Sequence, residues 1–282
     1  MSPLLLLLLS VTNGELTVTS EEPFAGAISS VKWHGKEFIN NHDHGRELQT
    51  ALSFDSFGEC YNPTEAGSAP DGRKSTSSSV LLDSSATGSV MHTRTDMAFW
   101  MAPGQPYPRD CGHSKVRVAQ NKTLTGGYTV DKTVTLKGSN IEIAMTVHVP
   151  RAHEGGVFEV LTGYMPPEFT SFLIVKDNAL EPISNGPGEQ QFPVILSTPD
   201  RDYAMGAVCT GMGKITYGRF SFMGNPGSPG WNTVKWNAVY RQAHVEPGDY
   251  KFDCTVAVGT ADAARMALAK RMASSSSPNN AR

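Results

Sequence analysis

Between Val31 and Ser68 the chain concentrates His42, Asp43, His44, Arg46, Glu47, Gln49, Asp55, Glu59, Tyr61, Asn62 and Glu65 in one short span. Imidazole, guanidinium, amide, phenol and carboxyl groups at this density match neither a solvated Ser/Gly/Lys loop nor a core strand, and they imply a polar site for a polar ligand. In NHDHGRELQ (41–49) an extended backbone would put His42, His44 and Arg46 on one face and Asp43 and Glu47 on the other. Two imidazoles and a guanidinium converging on one side can bind a carboxylate or polarise the hydroxyls of a polar ligand while one histidine moves a proton. The plainer alternative pairs Arg46 with an acid and leaves the histidines capping backbone groups.

Asp55, Glu59 and Glu65 lie in FDSFGECYNPTEAG, a Gly/Pro-punctuated segment in which turns set side-chain directions. Two of them could be the acid and base of a hydrolase, whose carboxyl groups stand about 5 to 9.5 Å apart; the alternative is that they accept local backbone N–H groups. Farther on, VFEVLTGYMPPEF carries Glu159, Tyr164 and Glu168 around the rigid Pro166-Pro167 pair. Tyr164 is either a proton donor or an aromatic ring packed over the prolines. Ring faces on which a ligand's flat apolar side could stack are available at Trp100, Tyr107, Trp231 and Trp236. Trp236 shares its face with Val234, Ala238 and Tyr240 and belongs to a core, whereas Trp231 follows the NPGSPG stretch at a loop edge and is the better stacking candidate. A rival use of the histidines is a zinc set of His42, His44, Cys111 and His113, but this spacing is no known motif, so no metal and no cofactor is expected.

The elements that must position these groups are read from period-two alternation. ELTVTS (15–20) and AISSVKW (27–33) lead through a His34-Gly35 turn into the charged span. YTVDKTVTLKGSNIEIAMTVHV (128–149) is a long antiparallel hairpin turning at Lys137-Gly138-Ser139-Asn140. Further strands fit 79–83, 89–95, 157–162, 172–176, 192–196, 203–210, 215–222, 234–240 and 250–258. Only TADAARMALAKRM (260–272) reads as a helix, with Thr260 as N-cap. Many short strands without βαβ alternation imply an all-β antiparallel sandwich with one short C-terminal helix. GSAPDGRKSTSSS (67–79) and the three-proline stretch 103–111 are loops that would wall a cleft.

A chain of 282 residues that is 39% hydrophobic can bury a large single core. A net charge of -3 with no cluster of Lys and Arg argues against nucleic acid as a partner. The run Leu4–Leu9 is too short to span a bilayer, so no membrane anchoring is expected, and it is read as part of an export signal over residues 1–12. The expected organisation is then one sandwich domain over 13–272 and a disordered tail over 273–282. Cys60, Cys111, Cys209 and Cys254 have no CxxC spacing; their even number suits an exported protein with up to two disulfides, although Cys209 and Cys254 alternate with apolar residues as core positions do.

The paired opening strands with the WHGKEF turn, the His/Gly/Arg segment that follows, and the hairpin at 128–149 together resemble the galactose-mutarotase-like β-supersandwich proteins. That superfamily comprises aldose 1-epimerases, domains of glycoside hydrolases and polysaccharide lyases, and proteins that only bind sugar. The resemblance implies a supersandwich whose concave sheet face binds carbohydrate, with a glutamate on a later strand, Glu159 or Glu168, acting as base opposite a histidine. The expectation is an exported (secreted or periplasmic) carbohydrate-active enzyme using acid/base chemistry at a glycosidic or anomeric centre of a poly- or oligosaccharide. Hydrolase or lyase is favoured over epimerase, and the alternative is a non-catalytic carbohydrate-binding sandwich. The expected catalytic residues are His42, His44, Glu59, Glu159 and Tyr164; the expected substrate-binding residues are Asp43, Arg46, Gln49, Glu65 and Trp231.

Overall fold

A computed structural model describes residues 8–68, 77–224 and 229–275. Alternation of buried and exposed side chains builds two antiparallel layers. The N-terminal part gives β1 (Leu8–Thr12), β2 (Leu16–Glu21), β3 (Ile28–Trp33), β4 (Lys36–Glu37), β5 (Leu48–Phe54) and β6 (Pro63–Thr64), then β7 (Val80–Thr87), β8 (Val90–Phe99) and β9 (Thr125–Lys137). The central part gives β10 (Asn140–Val149), β11 (Gly156–Met165), β12 (Ser171–Lys176), β13 (Ala179–Pro182), β14 (Gly188–Gln190) and β15 (Val194–Ser197). The last strands are β16 (Ala204–Gly211), β17 (Ile215–Phe222), β18 (Thr233–Gln242) and β19 (Gly248–Gly259), followed by α1 (Ala261–Ser275).

One layer runs β7-β8-β9-β10-β19-β16-β15-β12-β13 and the other β1-β2-β3-β5-β11-β18-β17-β14, with β6 bridging β5 and β8. Side chains from the facing sides interdigitate into one core: Phe54 stacks on Tyr128 with ring centroids 5.3 Å apart, and Phe158 meets Phe252 at 6.1 Å. On the outside of the first layer α1 buries Ala261, Ala264 and Leu268 against Leu173, Val175, Ile195 and Val208. Its first turn is capped as the sequence implies, by Thr260 Oγ1 accepting from Ala263 N at 3.2 Å.

The 128–149 hairpin forms with a two-residue Gly138-Ser139 turn. Two expected boundaries shift, and the cysteine alternatives turn out to be compatible. Residues 8–12, assigned to an export segment, form β1 along β2, with Leu9 and Val11 buried in the core; residues 1–7 lie outside the described residues. The helix continues to Ser275, into the expected tail, whose residues 276–282 are also outside the described residues, as are 69–76 of the 67–79 loop and 225–228 of NPGSPG. Cys209 and Cys254 are core residues, as their alternation implies, and are also cross-strand partners joined as a disulfide; Cys60 joins Cys111.

Candidate active site

The centre of the second layer, β5-β11-β18, is covered on both faces. One face supplies Leu52, Phe54, Phe158 and Trp236 to the core; the other presents Gln49, Ala51, Glu159, Thr162, Tyr164, Lys235 and Asn237. Glu159 and Tyr164 are five residues apart, and in a regular strand they would point to opposite sides. A β-bulge in β11 brings them together: its register against β18 shifts between Glu159 and Leu161, so Val160 and Leu161 both face the core and the alternation resumes in the opposite phase. Thr50 on β5 fixes the bulge by donating from Oγ1 to the Val160 carbonyl at 2.9 Å.

Over this face lies the segment after β5. The left-handed residues Asp55 and Ser56, with φ of 55° and 61°, turn the chain into a single 3-10 turn at Gly58–Tyr61 that carries Glu59. The result is a pocket of about 110 Å³ enclosed by Glu59, Asn62, Trp100, Glu159, Thr162, Tyr164 and Lys235. It opens into a cleft of about 350 Å³ walled by Trp100, Tyr107, Tyr164, Phe222 and Trp231, with Asp43 and Arg46. Gly45, Glu59, Trp100 and Tyr164 border both spaces. Gly45 is required by close approach, since a Cβ there would lie 2.7 Å from the Trp100 ring.

The two pocket carboxyls have different surroundings. Glu159 accepts from Lys235 Nζ at 2.8 and 3.0 Å and from Asn237 Nδ2 at 2.8 Å. Asn237 keeps this pose because its Oδ1 lies over Gly218, where a Cβ would stand only 2.2 Å away. Burial raises the Glu59 pKa above the ordinary glutamate range; Lys235 opposes the rise and the Glu159 charge adds to it. Tyr164 is likewise raised by burial, so its phenol stays protonated. Burial works against the Lys235 charge, but Glu159 outweighs it and holds the ammonium above its ordinary value, 4.9 Å from the Tyr164 ring centroid. The pocket therefore sets a fixed cation beside one carboxylate and favours a proton on the other, an acid and base pair in one enclosure.

Of the expected residues, Glu59, Glu159, Tyr164 and Gln49 meet in the inner pocket, and Asp43, Arg46 and Trp231 line the outer cleft. His42, His44 and Glu65 are elsewhere. Residues 41–47 are not extended: Arg46 N bonds the Asp43 carbonyl at 3.3 Å and Gly45 N bonds Asp43 Oδ1 at 2.8 Å, so the two-face alternation fails. His44 is 1% exposed with its ring 5.3 Å from Phe24, and His42 stands edge-on behind Trp231 at 4.6 Å. Arg46 is engaged by Asp43 and by the carbonyls of Gly230 and Trp231, with its guanidinium 5.0 Å over the Trp231 ring. Glu65 is fully buried and paired with Lys132 inside the sandwich. Glu168 pairs with Lys36 on the surface at 2.6 Å, which leaves Glu159 as the strand glutamate in the pocket. Because Cys111 is bonded to Cys60, the four-ligand set with His42, His44 and His113 lacks its thiolate, and no group of three or more His, Cys, Asp or Glu that could hold a metal occurs among the described residues.

Sequence reasoning misses Lys235, Asn237 and Thr162, and places Asn62 in the polar span without giving it a role. The alternation that assigns Val234, Trp236, Ala238 and Tyr240 to the core places Lys235 and Asn237 together on the opposite face, and an amide two residues from a lysine inside an apolar strand was the available signal.

The fold is that of the galactose-mutarotase-like β-sandwich proteins. No family profile and no curated protein sequence matches this chain. Among solved structures it is similar to a protein of glycosyl hydrolase family 38 from Enterococcus faecalis, with a TM-score of 0.55 and 10% identity over 94% of this chain and 32% of that one. An alpha-mannosidase from Enterococcus faecalis V583 gives a TM-score of 0.53 and 12% identity over 94% and 31%. A candidate aldose 1-epimerase from Escherichia coli K12 gives 0.50 and 9% over 90% and 99%. The chain thus spans about a third of the two Enterococcus proteins and nearly all of the Escherichia coli one.

Proposed function

We propose that this chain is a carbohydrate-active enzyme that cleaves a glycosidic bond with Glu59 as general acid and Glu159 as the anionic partner at the anomeric carbon. The observation that carries this reading is that Glu59, biased towards its protonated form, stands where the inner pocket meets the outer cleft, while Glu159 lines only the inner pocket. A bond joining a sugar in the pocket to a group in the cleft would lie beside Glu59, which is where a leaving-group oxygen needs its proton. Tyr164 borders the same junction as a second hydroxyl donor, and Lys235 Nζ donates to both carboxylate oxygens of Glu159. An epimerase acting on a free sugar would need the pocket but not the cleft. The sugar-active names among the similar folds support the substrate class at the level of fold alone.

The test is a screen of aryl glycosides and oligosaccharides for reducing-end release, with absorbance of unsaturated uronates and NMR of anomer exchange in parallel. Hydrolysis that disappears in Glu159→Gln while the fold persists supports the reading. Anomer exchange without bond cleavage would replace it with epimerisation, and tight sugar binding without either reaction would make the chain a binding module. The two disulfides suit an oxidising compartment, so export is part of the same proposal.

A further inference from the structure

The inner pocket and the outer cleft offer different chemistry. Asn62 and Thr162 line the inner pocket, alongside the carboxyls and the phenol, and Asn62 Oδ1 and Thr162 Oγ1 are buried with no protein hydrogen-bond partner. Such groups are made whole by the hydroxyls of a sugar. In the outer cleft, beyond Glu59 and the Tyr164 hydroxyl at its junction with the pocket, the polar side chains have protein partners. Asp43 accepts from Gly45 N and pairs with Arg46 Nε; Arg46 Nη1 donates to the Gly230 and Trp231 carbonyls; Thr233 Oγ1 donates to the Met165 carbonyl at 2.9 Å; and the Tyr107 hydroxyl accepts from Arg109. What remains is ring surface: Trp100, Tyr107, Tyr164, Phe222 and Trp231 around about 350 Å³. Phe222 is 46% exposed, beside the exposed Met223, and lies parallel to Phe220 at 6.1 Å. Large apolar side chains held open to water at the mouth of a site mark a surface meant to be covered.

A second sugar ring could lay one apolar face on these rings, but its hydroxyls would find few protein groups to pair with, at a cost of about 1 to 3 kcal/mol for each one also shut off from water. A flat apolar group would not incur that cost. We infer that the outer cleft is a leaving-group subsite for an aromatic or apolar aglycone, so the substrates are glycosides of phenols or apolar alcohols rather than long polysaccharides. This rests on the glycosidic reading of the same site. In it Trp231 and Phe222 determine specificity without touching the reacting atoms.

The experiment separates binding from turnover. Glu159→Gln protein is titrated calorimetrically with the phenyl and methyl glycosides of glucose, galactose, mannose and xylose, and with the corresponding disaccharides; turnover by the wild-type chain is measured on the same set. The expected result is that, for the sugar that binds, the phenyl glycoside binds at least about tenfold more tightly than the methyl glycoside and than the disaccharide. Adding Phe222→Ala or Trp231→Ala should reduce that preference to about threefold or less, with far-UV circular dichroism unchanged. Equal affinity for phenyl and methyl glycosides, tighter binding of the disaccharide, or a phenyl preference that survives both substitutions would overturn the subsite. Phenyl preference without turnover of any glycoside would sink the proposed reaction and leave the subsite standing, whereas turnover without phenyl preference would do the reverse. Failure of the whole panel to bind would overturn both.

Discussion

Glu59 and Glu159 are the same residue type given different tasks by what surrounds them, and this difference can be measured. Glu159→Gln keeps the amide contact from Asn237 but removes the charge. Turnover should fall by about 10² to 10⁴, with a stability loss of about 1 to 3 kcal/mol from the ammonium of Lys235 left without its partner; single-turnover kinetics and urea unfolding check the two numbers. Glu59 carries a pH signature. Its pKa is raised in the fold, so the native chain holds this proton at pH values where the unfolded chain has released it. Its stabilising effect is complete below the ordinary glutamate pKa and is lost as pH rises through the raised value. Urea unfolding across pH 4 to 8 should therefore show Glu59→Gln gaining on the wild type as pH rises, and a constant difference would mean the residue is not perturbed. Lys235→Met removes a cation that lowers the Glu59 pKa, so the alkaline limb of the rate profile should move to higher pH. The sequence made both glutamates visible by their neighbourhoods, but the histidines beside them misled: His42 and His44 carry the right chemistry and are turned away by the bends at 41–47.

At the scale of elements, the site depends on two irregularities that periodicity cannot express. The hairpin at 128–149 and the capped helix were legible because alternation and capping are local. The bulge at Val160 was not, since VFEVLTGYM reads as an ordinary strand until its register against β18 is known. The turn carrying Glu59 was legible only as a turn. Its placement comes from Cys60, the next residue, bonded to Cys111 across a separation of 51 residues, and from Gly58 packed on Gly112, where a Cβ would stand 2.8 Å from the Gly112 nitrogen. This fastens the 100–121 loop, with Trp100 and Tyr107, to the general acid. Replacing both Cys60 and Cys111 by Ser should lower stability by about 2 to 4 kcal/mol. At temperatures where the variant remains folded, kcat should fall, whereas a purely structural bond would lower the melting temperature and leave kcat alone.

At the scale of the molecule, the class of fold followed from strand count and the absence of βαβ alternation, but the way the layers are joined did not. Lys132 sits in phase with the core residues Val130, Val134 and Leu136, an anomaly visible in the sequence, and Glu65 was read as a sugar ligand because its partner lies 67 residues away. The structure brings them together between the layers, both fully buried, with Glu65 also accepting from Thr50 N of β5 at 3.0 Å. A lysine of β9 in one layer is thereby tied to the strand beneath the active site in the other. Breaking a buried pair from one side leaves a charge without water or counter-ion, and Lys132→Met or Glu65→Gln alone should each cost about 3 to 5 kcal/mol. Together they remove both charges, and the double variant should recover most of that loss; a double-mutant cycle from urea unfolding should return a coupling of about 2 kcal/mol or more. Because this pair faces the core and the pocket lies on the opposite face of the sheet, KM and kcat of the double variant should match the wild type below its melting temperature. A change in KM with Glu65→Gln at undiminished stability would instead restore Glu65 to the sugar site.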